Sequence, residues 1–330
     1  MTGTVCVTGG AGYVGSMTVW TLVDRGVPVV VFDNLSTGHR ELLPPDVPVF
    51  VGDVRDTSAL EKCFATYGVT GVVHCAALAL VPESVAHPGR YWSVNVGGTG
   101  ALVEAASNRG VKAIVFSSSA ATYGEPDQIP IPERHPQRPI NPYGHSKLVA
   151  ETVLEDGERA GGPRWLALRY FNAAGADPKG RCGEVHEPET HIIPNILRSA
   201  AAIESGRTDV PPLMLFGSDY PTQDGTCVRD YIHTLDLAEA HIRGLDYLQA
   251  GGESGAYNLG TGQGVSLRAL VRAVTEVTGV KVPYSIGPRR PGDPARLVAD
   301  PSRAWQVLGW QARHSTLESI VSTAWAWARR

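Results

Sequence analysis

The stretch NPYGHSK, residues 141–147, puts a phenol and an ammonium four positions apart, directly behind an Asn-Pro pair. Asn favours a helix N-cap and Pro tolerates the first helical position, so the spacing predicts a helix that begins here. Tyr143 and Lys147 then share one face of its first turns. A surface tyrosine resting on a lysine stem would satisfy the same spacing, so the pair needs company before it means chemistry. Ser119 supplies it, as the last of the three serines that follow the apolar run 111–116. An unperturbed phenol ionises near ~10, too high for a base at neutral pH, and a neighbouring cation favours its anion. Serine, tyrosine and lysine together can therefore move a proton on and off a hydroxyl group.

The elements that must position these side chains follow from pattern. A short β-rich run at 4–7 leads into TGGAGYVG, and a helical pattern continues through Thr18, Leu22 and Val23. Gly9, Gly12 and Gly15 are spaced GxxGxxG, a variant of the dinucleotide fingerprint. Such glycines allow a tight turn and close backbone approach, and the helix N-terminus offers N–H groups to a pyrophosphate. The next strand, 27–32, ends in Asp33, where a carboxylate hydrogen-bonds an adenosine ribose and repels a 2′-phosphate. NAD is thus favoured over NADP, although Asp33 could also simply open the turn DNLSTG. The alternation continues with 49–51 before Gly52-Asp53-Val54, where Asp53 could face an adenine amino group. It continues again with 72–75 before Ala76 and Ala77, small enough to admit a cofactor, and with 111–116 before the serines. Strands alternating with helices predict an α/β fold, a doubly wound parallel sheet with ligands at the carboxyl ends of its strands.

Composition narrows the function classes. The chain has 330 residues, 43% apolar and 19% charged, with a formal net charge of −4, which gives no footing for nucleic acid or an anionic membrane surface. No run approaches the roughly 20 apolar residues of a membrane span, and MTGTVCVTGG lacks the basic and apolar regions of a signal peptide. The 5 cysteines (Cys6, Cys63, Cys75, Cys182 and Cys227) are scattered without a CxxC pair. That argues against a disulfide framework or a metal site and for a reduced, cytoplasmic setting. Cys6 and Cys75 read as small core residues.

Past Phe171 the strand–helix rhythm loosens and proline and glycine multiply, as in a substrate lobe grafted onto a cofactor domain. Residues 230–248 revert to a helical pattern. The expected division is a dinucleotide domain at 1–171, with 228–248 returning to it, and a substrate domain at 172–227 and 249–330.

TGGAGYVG, Asp33, FSSSAATYG and YGHSK resemble the extended short-chain dehydrogenase/reductase family. RYFNAAGA, FGSDYPTQDGTCVRDYIH, YNLGTG and RRPGD resemble its UDP-glucose 4-epimerases, and the similarity runs from Val5 to about Trp310. The resemblance implies a Rossmann-like sheet with a smaller α/β UDP-sugar domain and reversible inversion at C4 of a UDP-hexose through a 4-keto sugar. It implies that NAD stays bound, that Tyr143, Lys147 and Ser119 are catalytic, and that the chain is a homodimer pairing two helices of the cofactor domain. Beyond the glycines, Asp33, Asp53, Ala76 and Ala77, it implies cofactor contacts from Tyr13, Val14, Asn34, Ser36, Thr37, Gly38 and Val54. Further ones fall on Cys75, Asn95, Ser117, Tyr170 and Phe171. On the substrate side it adds Asn172, His191, Ile192, Leu215, Phe216, Arg229, Arg290, Asp293 and Leu297. Phe216 would pack on uracil, the two arginines would fork onto the diphosphate, Asp293 would take the ribose, and Asn172 would reach phosphate or sugar.

Three positions depart from the pattern. Ala79 stands where many epimerases carry a cofactor-holding lysine. His191 replaces a common asparagine. Leu297 lies between the bulky and small residues found there, which leaves UDP-glucose, UDP-N-acetylglucosamine and pentose or uronate counterparts open. A 4,6-dehydratase would need an acid pair after the strand-end serine, where this chain has Ala120-Ala121. A non-catalytic NAD-sensing module would have had no use for Ser119, Tyr143 and Lys147, all of which are present.

Overall fold

Apolar residues dominate six short runs, and those in the middle of the sheet are buried on both faces, as strands of a covered parallel sheet must be, while the edge strand at 49–51 is partly open. They are β1 (Thr4–Thr8), β2 (Val29–Asp33), β3 (Val49–Val51), β4 (Val69–His74), β5 (Ala113–Ser119) and β6 (Arg164–Tyr170). The computed structural model describes residues 3–289 and 293–330. Its main sheet has 7 strands, all parallel, in the order β3-β2-β1-β4-β5-β6 followed by Gly255–Leu259. The order reverses between β1 and β4, which opens the ligand crevice of a doubly wound sheet at that point.

Alternate residues of each strand feed two cores. Val5, Val7, Val31 and Val115 pack under α1 (Tyr13–Asp24) and the Thr234–Gln249 helix. Cys6, Val30, Phe32 and Ile114 pack under the helices Thr57–Tyr67, Gly98–Asn108 and Pro142–Arg159. A third core, with Ile196, Leu197, Leu215, Leu270, Ile320 and Val321, belongs to the second lobe. There Leu213–Phe216 pairs with Tyr284–Gly287, and Val228–Arg229 lies between Val265–Ser266 and Arg296–Leu297.

Two details depart from the sequence reading. The helix expected from 230 begins at Thr234, because residues 228–233 form the short strands Val228–Arg229 and Tyr231–His233, and the His233 ring then caps the helix by accepting from Leu235 N–H at 3.0 Å. The seventh strand of the main sheet comes from Gly255–Leu259, inside the stretch assigned to the substrate lobe, and Ala304, Leu308 and Trp310 also join the first core. Asp230 explains why VRDYIH and YNLGTG belong together. Its buried carboxylate accepts from Thr261 N–H (2.9 Å), Thr261 Oγ1 (2.7 Å), Gly262 N–H (3.1 Å) and Ala299 N–H (3.2 Å).

Candidate active site

Asn141 caps the Pro142–Arg159 helix as its type predicts, accepting from Gly144 N–H at 2.9 Å, with Pro142 in the first turn. The cap fixes where Tyr143 and Lys147 point. Lys147 is 3% exposed, and its Nζ donates to the Ser117 carbonyl at 2.7 Å while lying 4.6 Å over the Phe116 ring. Burial lowers its pKa to about 8, against the pull of Cys75 and Glu151. Tyr143 meets Tyr91 edge-on, and the Ser119 hydroxyl, at the end of β5, is close enough to pull the phenol pKa down. The three residues singled out by type therefore converge at one strand end.

One expectation changes. Lys147 was to lower the Tyr143 pKa, yet its ammonium is 6.0 Å from the ring centroid and engaged by the Ser117 carbonyl. Burial pushes the phenol up, and only the Ser119 hydroxyl opposes it. The chain alone thus holds Tyr143 protonated, and a second positive charge must reach the pocket before the phenolate is favoured.

Behind these residues lies a network that sequence reasoning missed. Ser118 Oγ donates to Glu151 at 2.5 Å, and Arg169 forks onto the same carboxylate at 2.5 and 3.0 Å. Arg169 Nη1 also reaches Tyr123 Oη at 3.0 Å, and that hydroxyl donates to Asn258 at 2.7 Å. The network pins the end of β5 to the catalytic helix and to the seventh strand. Its available signals were Glu151 one turn beyond Lys147 and an arginine inside the otherwise apolar run RWLALRY.

The cofactor end is built from backbone. Gly9 has φ +67°, and a Cβ there would lie 2.5 Å from Ala76 N. One on Gly15 would lie 2.1 Å from the Gly9 carbonyl. Gly12 is the N-cap of α1 with no side chain spending its first N–H groups, which leaves them for an anion. Asp33 ends β2 buried, accepting from Ala11 N–H (3.0 Å) and Leu35 N–H (2.8 Å), and burial raises its pKa. A cradle that side chains would fill, a free helix N-terminus and a carboxylate at the next strand end fit a dinucleotide.

The other cofactor candidates fall around this cradle. Gly38 packs against Ala11, and Asn34 accepts from Ser36 in the exposed turn that also carries Thr37. Asp53 is held down to about 2 by Arg55 beside it, with Val54 buried next to it. Cys75 packs against the first core, as its type predicts, and contacts Ser117 Oγ at 3.2 Å, while Cys6 is fully buried. Asn95 braces the Ala76–Ala77 loop through Leu78, accepting from its N–H at 2.8 Å and donating to its carbonyl at 3.0 Å. Val14 packs on the first core, and Tyr170 sits edge-on to His241. Ala79 is exposed, with no cation in its place.

The substrate candidates divide. Arg229 is buried and ion-paired with Asp293, and Leu297 lies opposite Arg229 in the sheet. Leu297 and Phe171 both pack on Ala120 and Tyr123, directly after Ser119. Asn172 starts the next short strand, with its N–H on the Asp230 carbonyl at 3.0 Å. Leu215 and Phe216 end the Leu213–Phe216 strand, and a cleft of about 380 Å³ opens beside Tyr220, Arg289 and Asp293. Ile192 opens the Ile192–Glu204 helix and packs on the second-lobe core. His191, before it, is ion-paired with Glu184 (2.6 Å) and Glu189 (3.3 Å), so its ring is engaged by carboxylates of its own loop. Those carboxylates raise its pKa to about 10, against burial. Arg290 lies outside the described residues.

Residues 5–260 match the NAD dependent epimerase/dehydratase family. The chain belongs to that family. It is 48% identical over 324 residues to a UDP-glucose 4-epimerase of Lacticaseibacillus casei, covering 98% of this chain and 96% of the relative. Among solved structures, UDP-glucose 4-epimerase from Brucella ovis in complex with NAD is similar at a TM-score of 0.94 and 45% identity, with 99% of each chain covered. The enzyme from Bifidobacterium longum in complex with NAD+ and UDP is similar at a TM-score of 0.90 and 37% identity, covering 98% of this chain and 97% of that one. As in other members of the family, the cofactor is NAD.

Proposed function

We propose that this chain is an NAD-dependent UDP-glucose 4-epimerase, interconverting UDP-glucose and UDP-galactose through a transient 4-keto sugar. The observation that supports the proposal is that Ser119, Tyr143 and Lys147 gather at the end of β5. The matches to UDP-glucose 4-epimerases over nearly the whole chain support it. Bound NAD supplies a hydride acceptor and donor.

The chain's own residues handle the proton and the orientation. Tyr143 Oη takes the proton of the 4-hydroxyl and returns it to the same oxygen when the ketone is reduced on its other face. Ser119 hydrogen-bonds that oxygen and can relay the proton. Lys147, held by the Ser117 carbonyl, reaches the cofactor ribose, and the positive charge that favours the phenolate comes with the oxidised cofactor. Arg229 and Arg290 grip the diphosphate, with Asp293 and Asn172 on ribose and phosphate, Phe216 and Leu215 at the uracil, and Leu297 beside the sugar. The nucleotide is to be held firmly and the sugar loosely, because both faces of C4 must react and a site that matches one face too well would stall. Ala120 and Ala121 offer no second proton donor, so elimination is not supported.

The reduced cysteines suit a cytoplasmic setting, and among the described residues no helix is long and apolar enough to cross a membrane. The homodimer reading is supported by Val81, Val85 and Trp92, which stay exposed on the segment packed beside the Pro142–Arg159 helix.

The test is to incubate purified protein with UDP-galactose and no added cofactor. UDP-glucose should accumulate to equilibrium. Absence of product from protein that carries NAD would defeat the proposal.

A further inference from the structure

The loop before the Ile192–Glu204 helix carries Glu-x-His twice, at Glu184-Val185-His186 and Glu189-Thr190-His191. The loop doubles back so that the side chains of the two copies meet. Glu184 Oε1 lies 2.6 Å from His191 Nδ1 and 3.1 Å from His186 Nδ1. Glu189 Oε1 lies 3.3 Å from His191 Nδ1, and its Oε2 lies 3.8 Å from His186 Nδ1. One donor atom from each of the four residues falls within 4.8 Å of all the others.

These separations bracket the roughly 3.3 Å between neighbouring ligand atoms of a tetrahedral ion bound at about 2.0–2.1 Å. Two imidazoles and two carboxylates suit a first-row transition ion, whereas magnesium and calcium ask for an all-oxygen set. The charge also balances, since two carboxylates are neutralised equally by two imidazolium protons or by one divalent cation with neutral rings.

A second observation separates this loop from an ordinary cluster of ion pairs. The Glu189 side chain is 0% exposed, and its Oε1 is committed to the N–H groups of Thr190 and His191, both at 2.8 Å. Its Oε2 is buried without any hydrogen-bond partner and faces His186 at ion-pair range. A buried carboxylate oxygen without a donor is costly, and a cation between it and the imidazoles removes that cost.

We propose that Glu184, His186, Glu189 and His191 bind one divalent transition-metal ion of the zinc class. The ion locks the loop in front of the second-lobe helix. It also couples that loop to the glycine turn, because Tyr13 meets the His186 ring edge-on at 6.2 Å and its hydroxyl donates to the Gly175 carbonyl. The assignment of the ion rests on these four side chains and not on the reaction proposed above.

The full chain with its retained NAD, stripped by a chelator and dialysed, is titrated with Co2+ alone and then with Zn2+ alone. The expected result is one Co2+ per chain, with the intense visible absorption of tetrahedral cobalt, displaced by Zn2+ with a dissociation constant of about 1 μM or below. His186→Ala and Glu189→Gln should each weaken binding about 100-fold and abolish the absorption, with circular dichroism and NAD content confirming that each variant is folded. No saturable binding by the wild-type chain, pale octahedral cobalt only, or binding unchanged in a folded variant would overturn the assignment. The wild-type titration decides by itself if either variant fails to fold.

Discussion

The two ends of the cleft are held by different kinds of atoms. At the cofactor end the fit is made by backbone against backbone, with the Gly9 carbonyl so close to Gly15 that a Cβ there would lie 2.1 Å away. At the substrate end the fit is made by side chains that partner one another, with Arg229 on Asp293. Backbone contacts of this kind cannot re-form elsewhere, whereas a paired arginine can exchange a carboxylate for a phosphate. The first end therefore tolerates almost no substitution and the second tolerates graded change.

The largest expected effect tests the rigid end. Gly15→Val should cost more than about 3 kcal/mol and leave the purified chain without NAD, measured by chemical unfolding and by cofactor extraction. Retention of cofactor would show that the turn can yield. Tyr143→Phe should lower kcat by about 10²- to 10⁴-fold while NAD content and UDP binding persist, read by turnover and by calorimetry. Arg229→Ala should raise KM for the UDP-sugar about 10- to 100-fold with a smaller change in kcat, since it removes a charged contact made in ground and transition state alike. A collapse of kcat instead would mean that the paired end is as rigid as the glycine end.

Lys147 gives a pH signature. Its folded pKa, about 8, lies below the ~10.4 of an exposed lysine, so between those values the unfolded chain binds more protons. The destabilisation is full below about pH 8 and is relieved as pH rises toward ~10.4, so stability should climb through that window by at most a few kcal/mol. Lys147→Met, compared by denaturant titration across the same range, should flatten the climb. The smallest effect belongs to Leu297→Ala, which should raise the rate on UDP-N-acetylglucosamine relative to UDP-glucose several-fold by opening the wall it forms with Phe171.

What could be read in advance follows the same divide. Gly9, Gly12, Gly15 and Asp33 are legible because steric demands act over a few neighbouring residues, and the Asn141 cap because it is local by nature. The Glu151–Arg169 pair joins residues 18 apart in sequence and on different elements, so no spacing announces it. The place of Gly255–Leu259 in the main sheet depends on its pairing with residues 166–170, far away in sequence, which no local pattern announces. The pairing of His191 with Glu184 and Glu189 was hidden for another reason, namely that it depends on how an irregular loop doubles back.

Asp230 carries a consequence for how ligand enters. One sealed acid rivets three distant stretches, at 230, 261–262 and 299, across the seam between the main sheet and the second lobe. Swinging the lobes apart would tear four bonds from an interior anion at once. Entry and release are therefore expected to proceed by side chains at the rim changing partners, over a seam that stays shut.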